Sequence, residues 1–295
     1  MVLSVGDLHI DSYGTWRDTE GRMCWGVDDF DESWPLPYTN DLTRLAASAK
    51  IARKLGILSI RTKDACEILL KAYEQTLLNG GHPIVLAEKE TQLEKLGIKS
   101  LKAPKSFWQR LTARPSIRGH LPRDVKKALE QTLPMPNLKY RVVRREAGLG
   151  SLGQLRFVAI ADCRGGCVAR EAKNLLPSAS MWLNGEDSHS QSYYAKTMNS
   201  ALRSPDPYQK IIGRWLIRRL SPDSNPINIE SLPKERDEEI LLQAMGTETA
   251  NVHLGTRHRT RLILRDLKRR GPRWLREDAK KMAKVFLSEW KEYKG

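Results

Sequence analysis

The chain has 295 residues, 40% of them apolar, and a net charge of +15, so it can bury the core of one two-lobed unit or of two domains. No run reaches the length of a membrane span, and the N-terminus lacks the basic region and long apolar stretch of a signal peptide, so we expect a cytoplasmic protein without a membrane partner. Four cysteines with irregular spacing predict free thiols rather than a disulfide framework or a metal site.

The first predicted elements are two strands, each followed by acidic residues. Residues 2–5 are an apolar run that predicts a short buried strand, and Gly6 permits a sharp turn that presents Asp7 on a loop. A turn at residues 18–21 predicts a hairpin into a second strand, which ends in the acidic cluster of residues 28–32. Such carboxylates can orient a hydroxyl and hold Mg²⁺ against phosphates. Acidic residues also mark turns and solvated strand ends, so on motif grounds both interpretations stay open.

Two helices and a break come next. The first predicted helix runs from an N-cap at residues 39–40 to Gly56. The second starts after Thr62 and stops at residues 80–81, where two glycines favour a left-handed end. Shorter helical pieces then lead to the proline-rich residues 134–137, which we interpret as a lobe boundary.

Beyond this boundary, three antiparallel strands are predicted at Tyr140 to Glu146, Leu155 to Ala161 and Val168 to Ala172. The first turn, residues 148–153, reads G-x-G-x-x-G. A dinucleotide-binding fold needs this motif to open a helix, so we favour a loop whose backbone amides approach nucleotide phosphates, as in kinases. The third strand leads to Lys173, whose ammonium could reach those phosphates. A tight hairpin with a surface lysine is the alternative.

The C-terminal part carries the excess of positive charge. Between Arg257 and Lys284 there are twelve basic and three acidic residues, on two predicted helices separated by residues 271–272. A nucleic-acid surface is one interpretation, but apolar residues at helical spacing favour a solvated basic face with a buried opposite side. The apolar positions are Leu262, Ile263, Leu267, Trp274, Leu275, Met282, Val285, Phe286 and Trp290. His253, Trp182 and Trp215 are likewise predicted to be packing residues.

Several phrases of the sequence resemble known proteins. Gly6-Asp7-Leu8-His9, Tyr13-Gly14-Thr15-Trp16, Asp29-Phe30-Asp31-Glu32 and residues 218–223 look like a bacterial family of unknown function catalogued as twenty-two fifty-two. With the glycine-rich loop and Lys173, the chain also resembles the aminoglycoside-phosphotransferase branch of the protein-kinase-like superfamily, in permuted order. The resemblance covers nearly the whole chain and includes Asp41-Leu42, since related kinases carry an Asp-Leu pair that supports the catalytic loop.

The resemblance implies an α+β, two-lobed kinase-like fold with a small antiparallel sheet lobe and a larger, mainly helical lobe. Residues 1–136 would form the catalytic loop and the first part of the helical lobe, residues 137–232 the glycine-loop lobe, and residues 233–295 the basic helices that complete the helical lobe. The permuted order further implies that the sheet ends near residues 214–220 and that a hinge follows at residues 221–225. Both chain ends would then lie in the helical lobe.

By the same resemblance, Asp7 would be the catalytic base or hydroxyl-orienting residue, with His9 either orienting its loop, which we favour, or acting as a general base. Asp29 would be the principal Mg²⁺ ligand and Asp31 a second ligand or a neighbour of one. Asp7, Asp29 and Lys173 would surround one cleft, and Lys173 would hold the ATP phosphates.

The ATP loop would be formed by Gly148, Gly150, Ser151 and Gly153.

Two departures from the family pattern concern the metal ligands and Lys173. Where the family and the kinases place a metal-binding Asn, the chain has Ser12, preceded by Asp11, which could reach the ion in its place. Lys173 has no obvious glutamate partner, and Glu186 is the candidate.

We therefore expect an ATP- and Mg²⁺-dependent phosphotransferase acting on an unidentified small-molecule or protein acceptor, an anionic one given the basic charge. Transfer of an AMP group is a variant that the same residues could support. The alternative is a binding protein without turnover, either a nucleotide-binding pseudokinase or a basic nucleic-acid-associated factor. Nucleic acid is less favoured because no recognised nucleic-acid-binding module appears.

Overall fold

The computed structural model describes residues 1–86, 93, 104–145, 154–185, 191–224 and 235–294. The described chain is a mixed α and β structure with small antiparallel sheets, as predicted. Its strands are β1 (Val2–Ser4), β2 (Tyr13–Arg17), β3 (Met23–Val27), β4 (Trp34–Leu36), β5 (Tyr140–Arg144), β6 (Arg156–Cys163), β7 (Gly166–Asn174), β8 (Lys210–Ile212) and β9 (Trp215–Leu220). Its helices are α1 (Tyr38–Lys54), α2 (Thr62–Asn79), α3 (Pro104–Thr112), α4 (Arg123–Glu130), α5 (Ala179–Leu183), α6 (Gln191–Ser200), α7 (Glu235–His253), α8 (Thr260–Arg269) and α9 (Trp274–Lys294), with a 3₁₀ helix at Leu254–Arg259.

The N-terminal strands form two small antiparallel pairs. β2 and β3 make the predicted hairpin, whose turn is held by Asp18: its Oδ1 accepts from the backbone N–H groups of Glu20 and Arg22 at 3.0 and 2.9 Å. β1 pairs with β4, so the loop after β1 and the loop before β4 run side by side. This pairing brings the Asp7 loop next to the acidic cluster.

The first two helices begin and end close to the predicted positions. The predicted cap of α1 is wrong, since the helix starts after Pro37 without a side-chain cap. The Asn40 side chain donates instead to the Gly6 carbonyl at 3.1 Å. α1 is followed by Gly56 in the left-handed region at φ +76°, and α2 ends at Gly80, which is also left-handed.

A third sheet has five antiparallel strands in the order β5-β6-β7-β9-β8. Its first three strands are those predicted, and Lys173 lies within β7, opposite Arg156 on β6. Cys163 and Cys167 flank the hairpin tip between β6 and β7, and both are free thiols, as are the buried Cys24 and Cys66.

Each face of this sheet is covered by a helix. α4 packs on one face through Val125, Ala128 and Leu129. α3 packs on the other through Leu111, beside the half of that face nearer the β6–β7 tip. The predicted lobe division at residues 136 and 137 thus falls between these helices and the sheet on which they pack.

A larger core joins both ends of the chain. β1, the β2–β3 hairpin, α1 and α2 share it with α7, α8 and α9, and the Leu3 backbone N–H donates to the Thr256 hydroxyl at 3.0 Å. The two chain ends therefore contribute to one packing unit. None of the helices in the described ranges is both long and apolar enough to cross a membrane.

The basic C-terminal helices bury a narrower face than predicted. Ile263, Leu267 and Leu275 are buried, whereas Leu262, Val285 and Trp290 are exposed. The prediction of a packing role was also wrong for Trp182, which is 78% exposed. This tryptophan lies on the five-residue helix α5, which is too short to give a periodic signal.

Candidate functional site

The half of the sheet face that α3 leaves uncovered is charged. Glu171 and Lys173 lie two residues apart on β7 and so point to the same face. Arg156 on β6 stands directly opposite Lys173, and Arg218 on β9 directly opposite Glu171. Lys173 is 4% exposed and Glu171 is fully buried. One end of the sheet thus presents a buried lysine among arginines.

Glu171 holds these arginines in place. Its carboxylate lies 2.6 Å from Arg145, 2.7 Å from Arg218 and 3.5 Å from Arg156. Burial alone would raise its pKa, but the three guanidinium groups outweigh burial and hold the pKa well below its usual range. One carboxylate against three arginines and a lysine leaves this face positively charged.

The acidic cluster that follows β3 covers this positive face. Lys173 Nζ lies 3.6 Å from Asp29 Oδ1 and forms an ion pair with Asp31 Oδ2. The partners of Lys173 are therefore these aspartates, while the predicted partner Glu186 lies outside the described residues. The structure brings together Lys173, Asp29 and Asp31, which were predicted from distant parts of the sequence.

The pKa values of the two aspartates shift in opposite directions. Burial and the neighbouring Asp29 carboxylate raise the pKa of Asp31 to about 6. The pKa of Asp29 is lowered, because the Lys173 ammonium and the Asp31 backbone N–H outweigh the effect of burial. The Asp29 side chain is 49% exposed, so a ligand can reach this carboxylate.

The Asp7 loop is positioned by α1 and α7. The Asp41 carboxylate, fully buried on α1, accepts the backbone N–H groups of Val5 at 2.8 Å and Gly6 at 3.0 Å. His253 Nε2 on α7 lies 3.1 Å from the same carboxylate, and its Nδ1 lies 2.8 Å from the Tyr73 hydroxyl. His253 is buried, as predicted, and it also completes the support of this loop.

Asp7 itself faces outward from the loop. Its side chain is 50% exposed, and its Oδ1 is paired with Arg44 of α1. Glu32 links it electrostatically to the acidic cluster: burial raises the pKa of Glu32, and the charges of Asp7 and Asp29 raise it further. The Asp7 and Asp29 carboxylates therefore both act on the charge of Glu32.

His9 and Ser12 interact within the loop. His9 Nδ1 lies 2.8 Å from both the Asp7 carbonyl oxygen and the Ser12 hydroxyl. The Ser12 hydroxyl also accepts from the His9 backbone N–H at 3.0 Å, and Ser12 is buried whereas Asp11 is exposed. These contacts hold the Asp7 carbonyl and fix the shape of the turn.

The acidic cluster has atoms that fit a divalent cation. Asp31 Oδ1 is buried and has no hydrogen-bond partner in the described chain, and the exposed Asp29 carboxylate lies beside it. Within the described ranges, no group of three or more His, Cys, Asp and Glu is arranged to hold a metal ion. Two carboxylates suffice for Mg²⁺, which keeps several waters and takes other oxygens from phosphates.

The glycine-rich loop falls outside the described residues, including Gly148, Gly150, Ser151 and Gly153. Its flanks are described: the Arg145 backbone N–H donates to the Arg156 carbonyl at 3.2 Å. Both residues lie at the charged end of the sheet, so the chain enters and leaves this segment beside Lys173. Arg156 Nε is buried and lacks a hydrogen-bond partner among the described residues.

Several residues of the site were missed from the sequence. Arg156 and Glu171 lie on predicted strands, where charged residues inside an otherwise apolar strand were the available signal. Arg218 lies on β9, where only the end of the sheet was predicted. Arg44 and His253 gave no such signal, because their contacts cross from one helix to a loop far away in the sequence.

Residues 1–113 match the family described as an uncharacterized protein conserved in bacteria (DUF2252), which confirms the resemblance to that family over this part of the chain. The matched region includes the Asp7 loop, the acidic cluster and Asp41, but not Lys173. No curated protein and no solved structure matched the chain.

Proposed function

We propose that the protein is an ATP- and Mg²⁺-dependent phosphotransferase acting on an unidentified acceptor. The observation that carries this proposal is the buried Lys173 ammonium against Asp29 and Asp31, with the Asp7 loop alongside. Phosphoryl transfer depends mainly on positioning and on neutralising charge. A lysine at a strand end, paired carboxylates and a separate exposed carboxylate are the groups that such a reaction requires.

Each residue has a distinct role in this proposal. Lys173 and the Nε of Arg156, which has no hydrogen-bond partner among the described residues, would bind phosphate oxygens. Asp29 and Asp31 would hold a magnesium ion, which when bound neutralises phosphate charge. Asp7 Oδ1 is paired with Arg44, so Oδ2 would orient the acceptor hydroxyl and receive its proton.

The test measures nucleotide binding and turnover separately. Lys173→Met should weaken binding of ATP with Mg²⁺ at least about tenfold, since a charged hydrogen bond contributes roughly 1.5–3 kcal/mol. Lys210→Met, at an exposed lysine on β8 of the same sheet, is the matched control and should leave binding unchanged. Equal affinity in the wild type and both variants would refute the assignment of Lys173.

The carboxylates are tested by turnover. Asp7→Ala and Asp29→Ala should abolish ATP consumption with a panel of hydroxyl and amino acceptors while the protein stays folded. Asp162→Ala, at an exposed carboxylate of β6, is the control and should retain full turnover. Full activity in either site variant would refute the role of that residue.

A nucleotide-binding protein without turnover is the second candidate. It is favoured by Ser12, because this residue is buried and its hydroxyl is bonded to His9 inside the loop. Magnesium-dependent ATP affinity that is lost in Lys173→Met, together with no ATP consumption for any acceptor, would support this candidate over the enzyme.

A further inference from the structure

A basic groove lies between α1 and α9. Two cavities of about 740 Å³ and 390 Å³ form it, and they are continuous because both are lined by Lys50, Lys54, Ala283 and Leu287. On α9 the lining runs from Glu277 to Lys291, about 21 Å at 1.5 Å per residue. This is the length of four helical turns.

Both walls of the groove are positively charged. The basic lining residues are Lys50, Arg53 and Lys54 on α1 and Lys280, Lys281, Lys284 and Lys291 on α9, and Glu277 is the only acidic residue among those that line it. Of the α9 lysines, only Lys281 has an acidic partner in the described chain, Asp278 at 3.6 Å. The charge of the groove is thus almost uncompensated, which attracts an acidic partner.

The floor of the groove is aliphatic. Leu287 is half-buried, Ala283 is buried, and Ile51 and Leu58 extend the apolar strip toward α2. No aromatic ring is among the described residues that line the two cavities. Single-stranded nucleic acids are usually bound by aromatic side chains on which bases stack, so this floor favours an aliphatic partner surface.

We propose that this groove binds an acidic amphipathic helix of a partner protein. A helix of about four turns would place an aliphatic stripe on Leu287 and Ile51 and acidic residues toward the lysines of both walls. A second copy of this chain fits less well, because the overall charge of +15 makes two copies repel each other. This inference is independent of the proposed phosphotransferase function.

The test uses the full chain and a fluorescein-labelled helical peptide about 15 residues long, with leucines along one face and glutamates on both flanks. A scrambled peptide of the same composition separates helix recognition from simple charge attraction. We expect micromolar binding at low salt, weakened at least about tenfold by the double variant Lys280→Glu/Lys284→Glu. Leu287→Asp should weaken binding to a similar extent, because it places a charge in the aliphatic floor of the groove.

The matched control changes the same amount of charge outside the groove. Arg261→Glu/Lys268→Glu alters two exposed basic residues of α8 and should change the affinity by less than about twofold. Equal weakening by both double variants, or equal binding of the scrambled peptide, would overturn the proposal. Tighter binding of a thymidine oligonucleotide or of phosphatidylserine vesicles than of the helical peptide would also overturn it.

Discussion

At Gly6 the Asp7 loop approaches the acidic cluster closely. Its φ is +87°, and an added Cβ would lie 2.8 Å from the Glu32 carbonyl carbon and 3.2 Å from its Cβ, with the carbonyl oxygen nearer still. Gly21 has a similar φ of +76°, but an added Cβ there would meet nothing within 4 Å. Comparing alanine variants at the two glycines therefore separates the cost of the left-handed backbone conformation from the cost of the close approach.

We expect Gly6→Ala to cost about three times as much stability as Gly21→Ala. Each substitution places an alanine in the left-handed region, which costs about 1 kcal/mol. At Gly6 the added Cβ would also clash with the Glu32 carbonyl group, so the Asp7 loop and Glu32 must move apart by more than half an ångström. Losing the hydrogen bonds from Val5 and Gly6 to Asp41 would add about 1 kcal/mol each, which gives about 3 kcal/mol in total.

Urea denaturation of both variants measures this difference in the free energy of unfolding. Gly6→Ala should also weaken binding of ATP with Mg²⁺, because it displaces the loop that leads to Asp7, whereas Gly21→Ala should not. If the two variants differ by less than about 0.5 kcal/mol, the close approach of Gly6 to Glu32 does not hold the loop, and our account of its geometry is wrong.

Three further predictions concern buried carboxylates. Asp41→Asn should destabilise the protein by about 3 kcal/mol more than Asp64→Asn, which changes an exposed ion pair. The asparagine amide would place a buried N–H donor against the backbone N–H groups that the Asp41 carboxylate accepts. Glu171→Gln should cost about 3 kcal/mol, since three arginines lose their buried counter-charge. Burial raises the pKa of Glu248 to about 7, so the folded state binds the extra proton between about pH 4.5 and 7 and stability falls as pH rises through this range. Glu248→Gln should remove the part of this fall that Glu248 contributes, which is at most about 3 kcal/mol.

Urea denaturation at pH 7 tests the first two predictions, and denaturation at pH 5 and pH 8 tests the third. A loss in Asp41→Asn no larger than in Asp64→Asn would show that Asp41 does not support the loop. An unchanged free energy of unfolding in Glu171→Gln would contradict the role of the arginine cluster. The same pH dependence in the wild type and in Glu248→Gln would exclude Glu248 as its source.

Local patterns predicted the elements but not all of their ends. The strand–turn–strand pattern up to Val27 and the glycines after α1 and α2 were sufficient to predict β2, β3, α1 and α2, because those signals act within a few residues. The predicted cap at residues 39–40 failed because Asn40 donates to Gly6. A tertiary contact replaced the local one, and the sequence around α1 does not show it.

The site was predicted as separate residues rather than as a geometry. Asp29, Asp31 and Lys173 came from their motifs, and the structure places them together. The arginines around Glu171 were missed, because cross-strand pairs such as Glu171 with Arg218 depend on a strand register that no local pattern fixes. The roles of Asp29, Asp31 and Lys173 in nucleotide binding stay predictions.

Exposure divides the carboxylates of this site into two groups. Asp41 and Glu171 are fully buried, so a ligand cannot reach them. Asp41 holds backbone N–H groups in place, and Glu171 holds guanidinium groups in place. Asp7 and Asp29 have side chains that are 50% and 49% exposed, so a ligand can reach them, and little folding energy depends on them. Substitutions in the first group should therefore lower stability and activity together, whereas substitutions in the second should remove activity from a protein that still folds.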